Sequence, residues 1–106
     1  MKLWIDDVRP APEGYTWAKS VLMAKWHIMA YEGTYRCTGD KKYKVELIDI
    51  DHDAGEYAQY SGDYIKLLDW LEETGRNYPI RIHSKNVVGV QNMRAIIERN
   101  GWTEVI

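Results

Sequence analysis

The chain has 106 residues, 45% hydrophobic and 28% charged, which is typical of one globular domain and too apolar for a disordered chain. Basic side chains number 14 and acidic ones 16, so bulk positive charge for binding duplex DNA is excluded. The single cysteine excludes an intramolecular disulfide and a CxxC zinc site, and no apolar run approaches the ~20 residues of a membrane span. We therefore expect one cytoplasmic domain over residues 1–106, without membrane contact.

The amino-terminal third of the chain predicts a strand, a loop and a helix. Leu3–Ile5 is a short apolar run followed by acidic residues, which is typical of a buried strand. Two prolines and a glycine within residues 10–14 indicate a loop. Apolar residues then recur at helical spacing, which predicts a helix capped by Thr16, continuing to about Tyr31 and ending at Gly33.

The middle of the chain predicts a second strand and a second helix. Val45–Asp51 reads as a strand that turns acidic at its end. The polar segment Thr34–Lys44 before it fits a loop, an edge strand or a hairpin. A helix capped by Ser61 or Asp63 is expected to run to about Thr74.

The last third predicts a strand at Ile80–Ile82, a helix from the cap Asn86 to Asn100, and a short final strand at Trp102–Ile106. Strands thus alternate with helices, and such alternation implies parallel strands joined by helical crossovers. We predict an α/β fold, a small open and mostly parallel sheet of about four strands with helices on both faces.

A polar cluster follows each of the three clear strands. The clusters are Asp6-Asp7-Val8-Arg9, Asp51-His52-Asp53 and His83-Ser84-Lys85-Asn86. Ligands of open parallel sheets bind at the carboxyl ends of the strands, so we expect the three clusters to meet there.

The aspartates of these clusters would repel one another at one edge of a sheet. A hard divalent cation such as Mg²⁺ relieves that repulsion, because it takes oxygen ligands and binds carboxylates together with water and phosphate. We therefore predict Asp6, Asp7 and Asp51 as ligands of a Mg²⁺ ion. The alternative is that these aspartates only cap helices and form turns.

The two histidines at strand ends, His52 and His83, can supply one base and one acid at neutral pH, and the sequence leaves open which is which. A structural role is the alternative for each. The planar guanidinium of Arg9 suits a phosphate, or else a salt bridge to a neighbouring aspartate.

The start of the last helix supplies further candidate contacts. Free amides at a helix amino terminus attract anions, so we predict substrate contacts from Ser84 and Asn86, with Asp53 beside them. A simple helix cap is the alternative role for Asn86.

Taken together, these motifs resemble a known family. Asp6-Asp7-Val8-Arg9, Asp51-His52-Asp53-Ala54-Gly55 and the run from His83 to Met93 are similar to the cyclic-phosphate processing receiver-like domain, a divergent branch of the response-regulator receiver fold. The resemblance spans essentially the whole chain, with residues 34–44 least matched. It implies a receiver-like fold and the processing of RNA or nucleotide ends that carry cyclic phosphates.

The resemblance also implies which polar positions matter. They are Asp6, Asp7, Arg9, Asp51, His52, Asp53, His83, Ser84 and Asn86. Histidines flank the acids, and the chain is one strand–helix unit shorter than an ordinary phosphoacceptor receiver, which argues against phosphorelay signalling.

We therefore predict a phosphoesterase that opens 2′,3′-cyclic phosphates, with His52, His83, Arg9 and Asp51 as catalytic residues. Its expected partner is a small phosphorylated ligand or an RNA end. One alternative is a non-catalytic receiver-like switch or phosphate-binding module. Another is a small interaction domain that uses its five Trp and eight Tyr residues. The sequence leaves the oligomeric state open.

Overall fold

A computed structural model describes all 106 residues, which form a four-stranded parallel sheet with helices. The strands are β1 (Lys2–Ile5), β2 (Tyr15–Ala18), β3 (Leu47–Ile50) and β4 (Ile80–Ile82), in the spatial order β2-β1-β3-β4. The helices are α1 (Val21–Thr38), α2 (Ala58–Ser61), α3 (Ile65–Glu73) and α4 (Val87–Asn100). The predicted small parallel α/β fold is therefore confirmed. None of the helices has the length and apolarity needed to cross a membrane.

One face of the sheet forms the core. Leu3, Ile5, Ile48 and Ile50 are fully buried on that face, because side chains alternate between the two faces of a strand. They belong to one cluster of 18 buried residues. The helix residues of that cluster come from α1, α3 and α4: Val21, Ala24, Ile28, Leu67, Leu68, Leu71, Met93, Ile96 and Ile97. All three longer helices therefore pack against the same face.

This distribution corrects the expectation of helices on both faces. The crossovers from β2 to β3 and from β3 to β4 run in the same direction along the sheet. Right-handed crossovers in one direction place their helices on one face. The connection from β1 to β2 runs in the opposite direction along the sheet. It consists of the loop of residues 6–14 and contains no helix.

The opposite face carries aromatic and polar side chains. Strand register aligns Trp17, Trp4, Asp49 and Arg81 in one row across it. The indole nitrogen of Trp4 donates a hydrogen bond to the carbonyl of Arg9 at 2.8 Å. The loop after β1 therefore lies against this face where a crossover helix would otherwise lie.

The first helix begins later and ends later than its sequence pattern predicts. Thr16 lies in β2, which pairs residue for residue with β1, and Ser20 is the actual cap, with its hydroxyl accepting from the Met23 amide at 3.1 Å. Pairing with a neighbouring strand overrides a local helical pattern. The helix also continues through Gly33 and ends at Gly39, since a glycine inside a helix costs only ~1 kcal/mol.

Three smaller boundaries also differ from the predictions. Residues 34–44 complete α1 and then form a single turn of 3-10 helix at Lys41–Tyr43, neither edge strand nor hairpin. Asp63 does not cap α3, because its carboxylate accepts from the Ala54 amide at 3.1 Å. At the carboxyl-terminal end only Glu104 forms a bridge, to Ile80, so no full strand is present there.

We expect Tyr64→Phe to lower the free energy of unfolding by about 1–2 kcal/mol. Tyr64 is fully buried, and its hydroxyl donates to the carbonyl of Lys19 at 2.7 Å, which would lose its partner. Denaturant unfolding measures the difference. The matched control is Tyr60→Phe. Tyr60 is 72% exposed, so removing its hydroxyl should leave the free energy of unfolding unchanged. Equal stability of both variants would contradict the role of the buried hydroxyl.

Candidate active site at the carboxyl edge of the sheet

The three polar clusters meet where β1, β3 and β4 end. Arg9 Nη2 donates to the carbonyl oxygen of His83 at 3.1 Å and lies 3.8 Å from Asp51 Oδ2. The other oxygen of Asp51 accepts a hydrogen bond from the backbone amide of His52 at 2.8 Å. Contacts thus join three segments that are distant in the chain, and the site is shaped around Arg9 and Asp51.

Asp6 is the most enclosed acid of this site, with no exposed surface. Its Oδ1 accepts from the amides of Val8 and Arg9 at 3.0 and 2.9 Å. Its Oδ2 lies 3.1 Å from Arg9 Nε and 3.0 Å from His83 Nε2. Burial by itself would raise the pKa of Asp6, but these hydrogen bonds and the charge of Arg9 outweigh it, so the pKa lies below its usual value. Asp6 is therefore an anion at neutral pH.

His83 is held between two carboxylates. Its Nε2 faces Asp6, and its Nδ1 lies 2.6 Å from Oδ1 of Asp49, which is only 2% exposed. The Trp4 ring stacks on the imidazole, with centroids 3.8 Å apart and planes 5° from parallel. Each ring nitrogen of His83 therefore faces the carboxylate of a buried aspartate.

Asp49 and Trp4 are site residues that the sequence reasoning missed. Both lie inside strands rather than after them, in the apolar runs that predicted β3 and β1. The available signal was a single acid within the run Leu47-Ile48-Asp49-Ile50, since an acid is almost never fully buried without a partner.

His52 is held on one nitrogen only. Its Nδ1 lies 2.8 Å from Asp53 Oδ1, which also accepts from Asn86 Nδ2 at 3.1 Å. The hydrogen bond that the Asp53 carboxylate accepts from His52 lowers its pKa most; partial burial opposes this, and the hydrogen bond from Asn86 lowers the pKa further. The Nε2 atom of His52 has no hydrogen-bond partner in the protein. It can therefore exchange a proton with a bound ligand.

The His52 ring lies against the first turn of α4 at Gly89. A Cβ built at Gly89 would be 2.4 Å from Cγ of His52, a distance that real Cβ atoms essentially never show. Asn86 caps the same turn, with Oδ1 accepting from the Gly89 amide at 2.9 Å, and Ser84 Oγ accepts from the Asn86 amide at 3.2 Å. Ser84 and Asn86 thus shape the helix start, and their contact with a substrate stays a prediction.

Asp6, Asp7 and Asp51 each place one carboxylate oxygen within 4.8 Å of the others. Gly55 permits this, because it has φ +55° and a Cβ there would be 2.2 Å from Asp7 Oδ2. Three converging carboxylates are a donor set that fits Mg²⁺. The guanidinium of Arg9 already balances part of their charge.

The parallel sheet, the acids after β1 and β3 and the serine after β4 are those of a receiver-like α/β domain. A family model for the cyclic-phosphate processing receiver domain matches residues 1–99. No curated protein and no solved structure matches the chain. The chain belongs to the cyclic-phosphate processing receiver domain family, which confirms the resemblance stated from its motifs.

We expect Asp6→Asn to be less stable than the wild type at pH 7 by about 2 kcal/mol, because the NH2 group that replaces Oδ2 cannot accept from Arg9 Nε or pair with His83 Nε2. The pKa of Asp6 is lower in the folded protein than in the unfolded chain, so the unfolded chain protonates this carboxylate more readily. The stability that the Asp6 anion contributes is therefore fully present above the ordinary carboxyl pKa and is lost below it. The difference between the two proteins should shrink as the pH falls through and below the ordinary carboxyl range. Unfolding curves across acidic pH measure it, and a difference that is constant with pH would contradict the assignment.

Proposed function

We propose that the protein is a phosphoesterase that opens 2′,3′-cyclic phosphate ends of RNA or nucleotides. The observation that carries this proposal is the contrast between the two histidines at one edge of the sheet. His52 is fixed through Nδ1 and has a free Nε2, whereas His83 has both nitrogens on carboxylates. An acid and a base at one edge are what a phosphodiester hydrolysis needs.

The hydrogen bonds favour His52 as the base and His83 as the acid. When Nδ1 of His52 donates to Asp53, its Nε2 has the lone pair that can accept a proton from water. The water oxygen then bonds to phosphorus as the bond from phosphorus to one ribose oxygen breaks. His83 donates a proton to that departing oxygen from Nε2, at the moment when its hydrogen bond to Asp6 opens. Each proton transfer contributes ~10²–10⁴-fold in rate.

Arg9 stabilises the charge that develops on the phosphoryl oxygens. Its Nε lies on Asp6 and its Nη2 on the His83 carbonyl, so the guanidinium is fixed before a ligand binds. A Mg²⁺ ion held by Asp6, Asp7 and Asp51 would supply further charge stabilisation at the same oxygens. Ser84 and Asn86, at the start of α4, would contact the non-reacting part of the substrate.

The direct test incubates the protein with 2′,3′-cyclic mononucleotides and with short RNAs that end in a cyclic phosphate. Phosphorus NMR follows the conversion to a monoester, in buffer with Mg²⁺ and in buffer with EDTA. We expect turnover with Mg²⁺, and the EDTA arm tells whether a metal is required. An absence of turnover on every substrate under both conditions would refute the proposal.

The role of the His52 base is tested by His52→Gln and by Gly89→Ala. We expect His52→Gln to lower kcat by at least about 10²-fold, since the proton acceptor is lost. Gly89→Ala should also lower kcat, because the new methyl group displaces the imidazole from its place against α4. Kinetics on one cyclic mononucleotide measures both effects.

Gly33→Ala is the matched control for Gly89→Ala. Gly33 also lies inside a helix, but nothing lies within 4 Å of a Cβ built there. It should retain full activity and gain up to about 1 kcal/mol of stability. Full activity in a folded Gly89→Ala protein would show that the position of His52 does not matter for the reaction.

The second candidate function is a receiver-like switch that is phosphorylated on Asp51. The cluster of Asp6, Asp7 and Asp51 favours it, because one carboxylate oxygen of each lies within 4.8 Å of the others. Treatment with acetyl phosphate followed by mass measurement tests this function. A labile gain of one phosphoryl group that is lost in Asp51→Asn would favour the switch over the enzyme.

A further inference from the structure

A second concave region lies at the opposite edge of the sheet from the candidate active site. It is a cleft of about 460 Å³ bordered by the carboxyl-terminal half of α1, the end of α3 and the residues that lead into β3 and β4. Buried Val45 is among its lining residues and lies two residues before the start of β3. Its volume lies in the range of pockets that hold small organic ligands, roughly 300–1,000 Å³.

One wall of this cleft is a fixed network of hydrogen bonds. Arg76 donates from Nε and Nη2 to the two oxygens of Glu32, each at 2.9 Å, and the Tyr78 hydroxyl donates to the same carboxylate. The Arg76 guanidinium also lies over the Trp70 ring, 4.3 Å from its centroid. Partial burial opposes ionisation of Glu32, but the hydrogen bonds from Arg76 and Tyr78 outweigh it and lower its pKa. The negative charge of Glu32 is therefore balanced by the positive charge of Arg76.

Two further cations of the cleft make no close ion pair. Arg36 and Lys44 both line it, and neither side chain is hydrogen-bonded within the protein, although the charge of Arg36 helps to lower the pKa of Glu32 one helical turn away. With Arg76, three cations face one carboxylate here, whereas the whole chain has a net charge of −2. A local excess of unpaired positive charge on an acidic protein favours an anionic ligand.

The remaining walls are aromatic. Tyr35, Tyr43 and Tyr78 line the cleft. The Tyr43 ring packs against the ring of Tyr31, with centroids 6.0 Å apart. Tyrosine rings present flat apolar faces on which planar groups stack. The lining thus combines anion-binding groups with platforms for a planar ring.

We propose that this cleft binds a nucleoside monophosphate unit, with its phosphate at Arg36 and Lys44 and its base against the tyrosines. The unit is either a free mononucleotide or the phosphorylated terminal nucleotide of an RNA, because both carry the same phosphate, ribose and base. This binding is separate from the reaction proposed above and does not depend on it, since none of the cleft residues belongs to the carboxyl-edge site.

The test titrates the isotopically labelled protein with adenosine monophosphate, adenosine, inorganic phosphate and a short 5′-phosphorylated RNA, and follows backbone amides by NMR. We expect adenosine monophosphate to shift amides of residues 34–45 and 74–78 and to bind more tightly than adenosine or phosphate alone. The RNA arm tells whether the unit is recognised free or at the end of a strand. Resolved amides also separate this binding from any at residues 51–54, so failure of either site is seen independently.

Arg36→Ala and Lys44→Ala should each weaken binding at the cleft by about tenfold, since each removes a charged hydrogen-bond donor. Lys41→Ala is the matched control, because Lys41 is an exposed lysine of the neighbouring 3-10 turn that does not line the cleft. The proposal is overturned by the absence of shifts at the cleft, by equal binding of phosphate and adenosine monophosphate, or by equal effects of Lys41→Ala and Lys44→Ala.

Discussion

The carboxyl edge of this sheet is organised around one buried anion, Asp6. A carboxylate that is removed from water is stable only when donors replace the lost hydration. Here the donors are two backbone amides of the turn after β1, the Arg9 guanidinium and the His83 ring. The requirement to satisfy one charge therefore fixes the turn, directs Arg9 inwards and connects the end of β4 to the end of β1 across β3. The placement of the candidate site residues follows from it.

A second buried acid accounts for the difference between the two histidines. Asp49 lies in the middle of β3, on the face opposite the core, and its neighbour in register on β1 is Trp4. Asp49 contacts one ring nitrogen of His83 and Asp6 contacts the other, while Trp4 stacks on the face of the ring. His52 contacts Asp53 and Asn86 through Nδ1 and the surface of Gly89 through its ring, so its Nε2 has no partner in the protein. The fold thus holds one histidine through both ring nitrogens and the other through one, which is the contrast on which the proposed reaction rests.

The sequence predicted the parts of this structure that depend on local composition. Three apolar runs predicted β1, β3 and β4, because strands of a buried parallel sheet read as continuous apolar segments. The rule that ligands bind at the carboxyl ends of strands predicted that His52, His83 and Arg9 lie at one edge. β2 was missed, because its residues also fit a helical spacing, and only pairing with β1 decides between the two.

What the sequence could not provide were contacts set by register and by three-dimensional approach. Asp49 belongs to the site because Trp4 is its neighbour in the sheet and His83 follows on the next strand, and neither relation is visible in a linear pattern. The contact of Gly89 with His52 likewise depends on how the first turn of α4 approaches the segment after β3. Three alternatives stayed open for residues 34–44 for a related reason, since four residues of this segment line a cleft that residues 74–78 help to form.

The loop between β1 and β2 places a cation beside the acids of the carboxyl edge. Asp6 accepts from the Arg9 amide through Oδ1, and its Oδ2 lies 3.1 Å from Nε of the same residue. Two indole nitrogens hold the loop in place, Trp4 on the Arg9 carbonyl and Trp17 on the Asp6 carbonyl. The crossover that shortens the fold is therefore the segment that brings a cation into a cluster of acids.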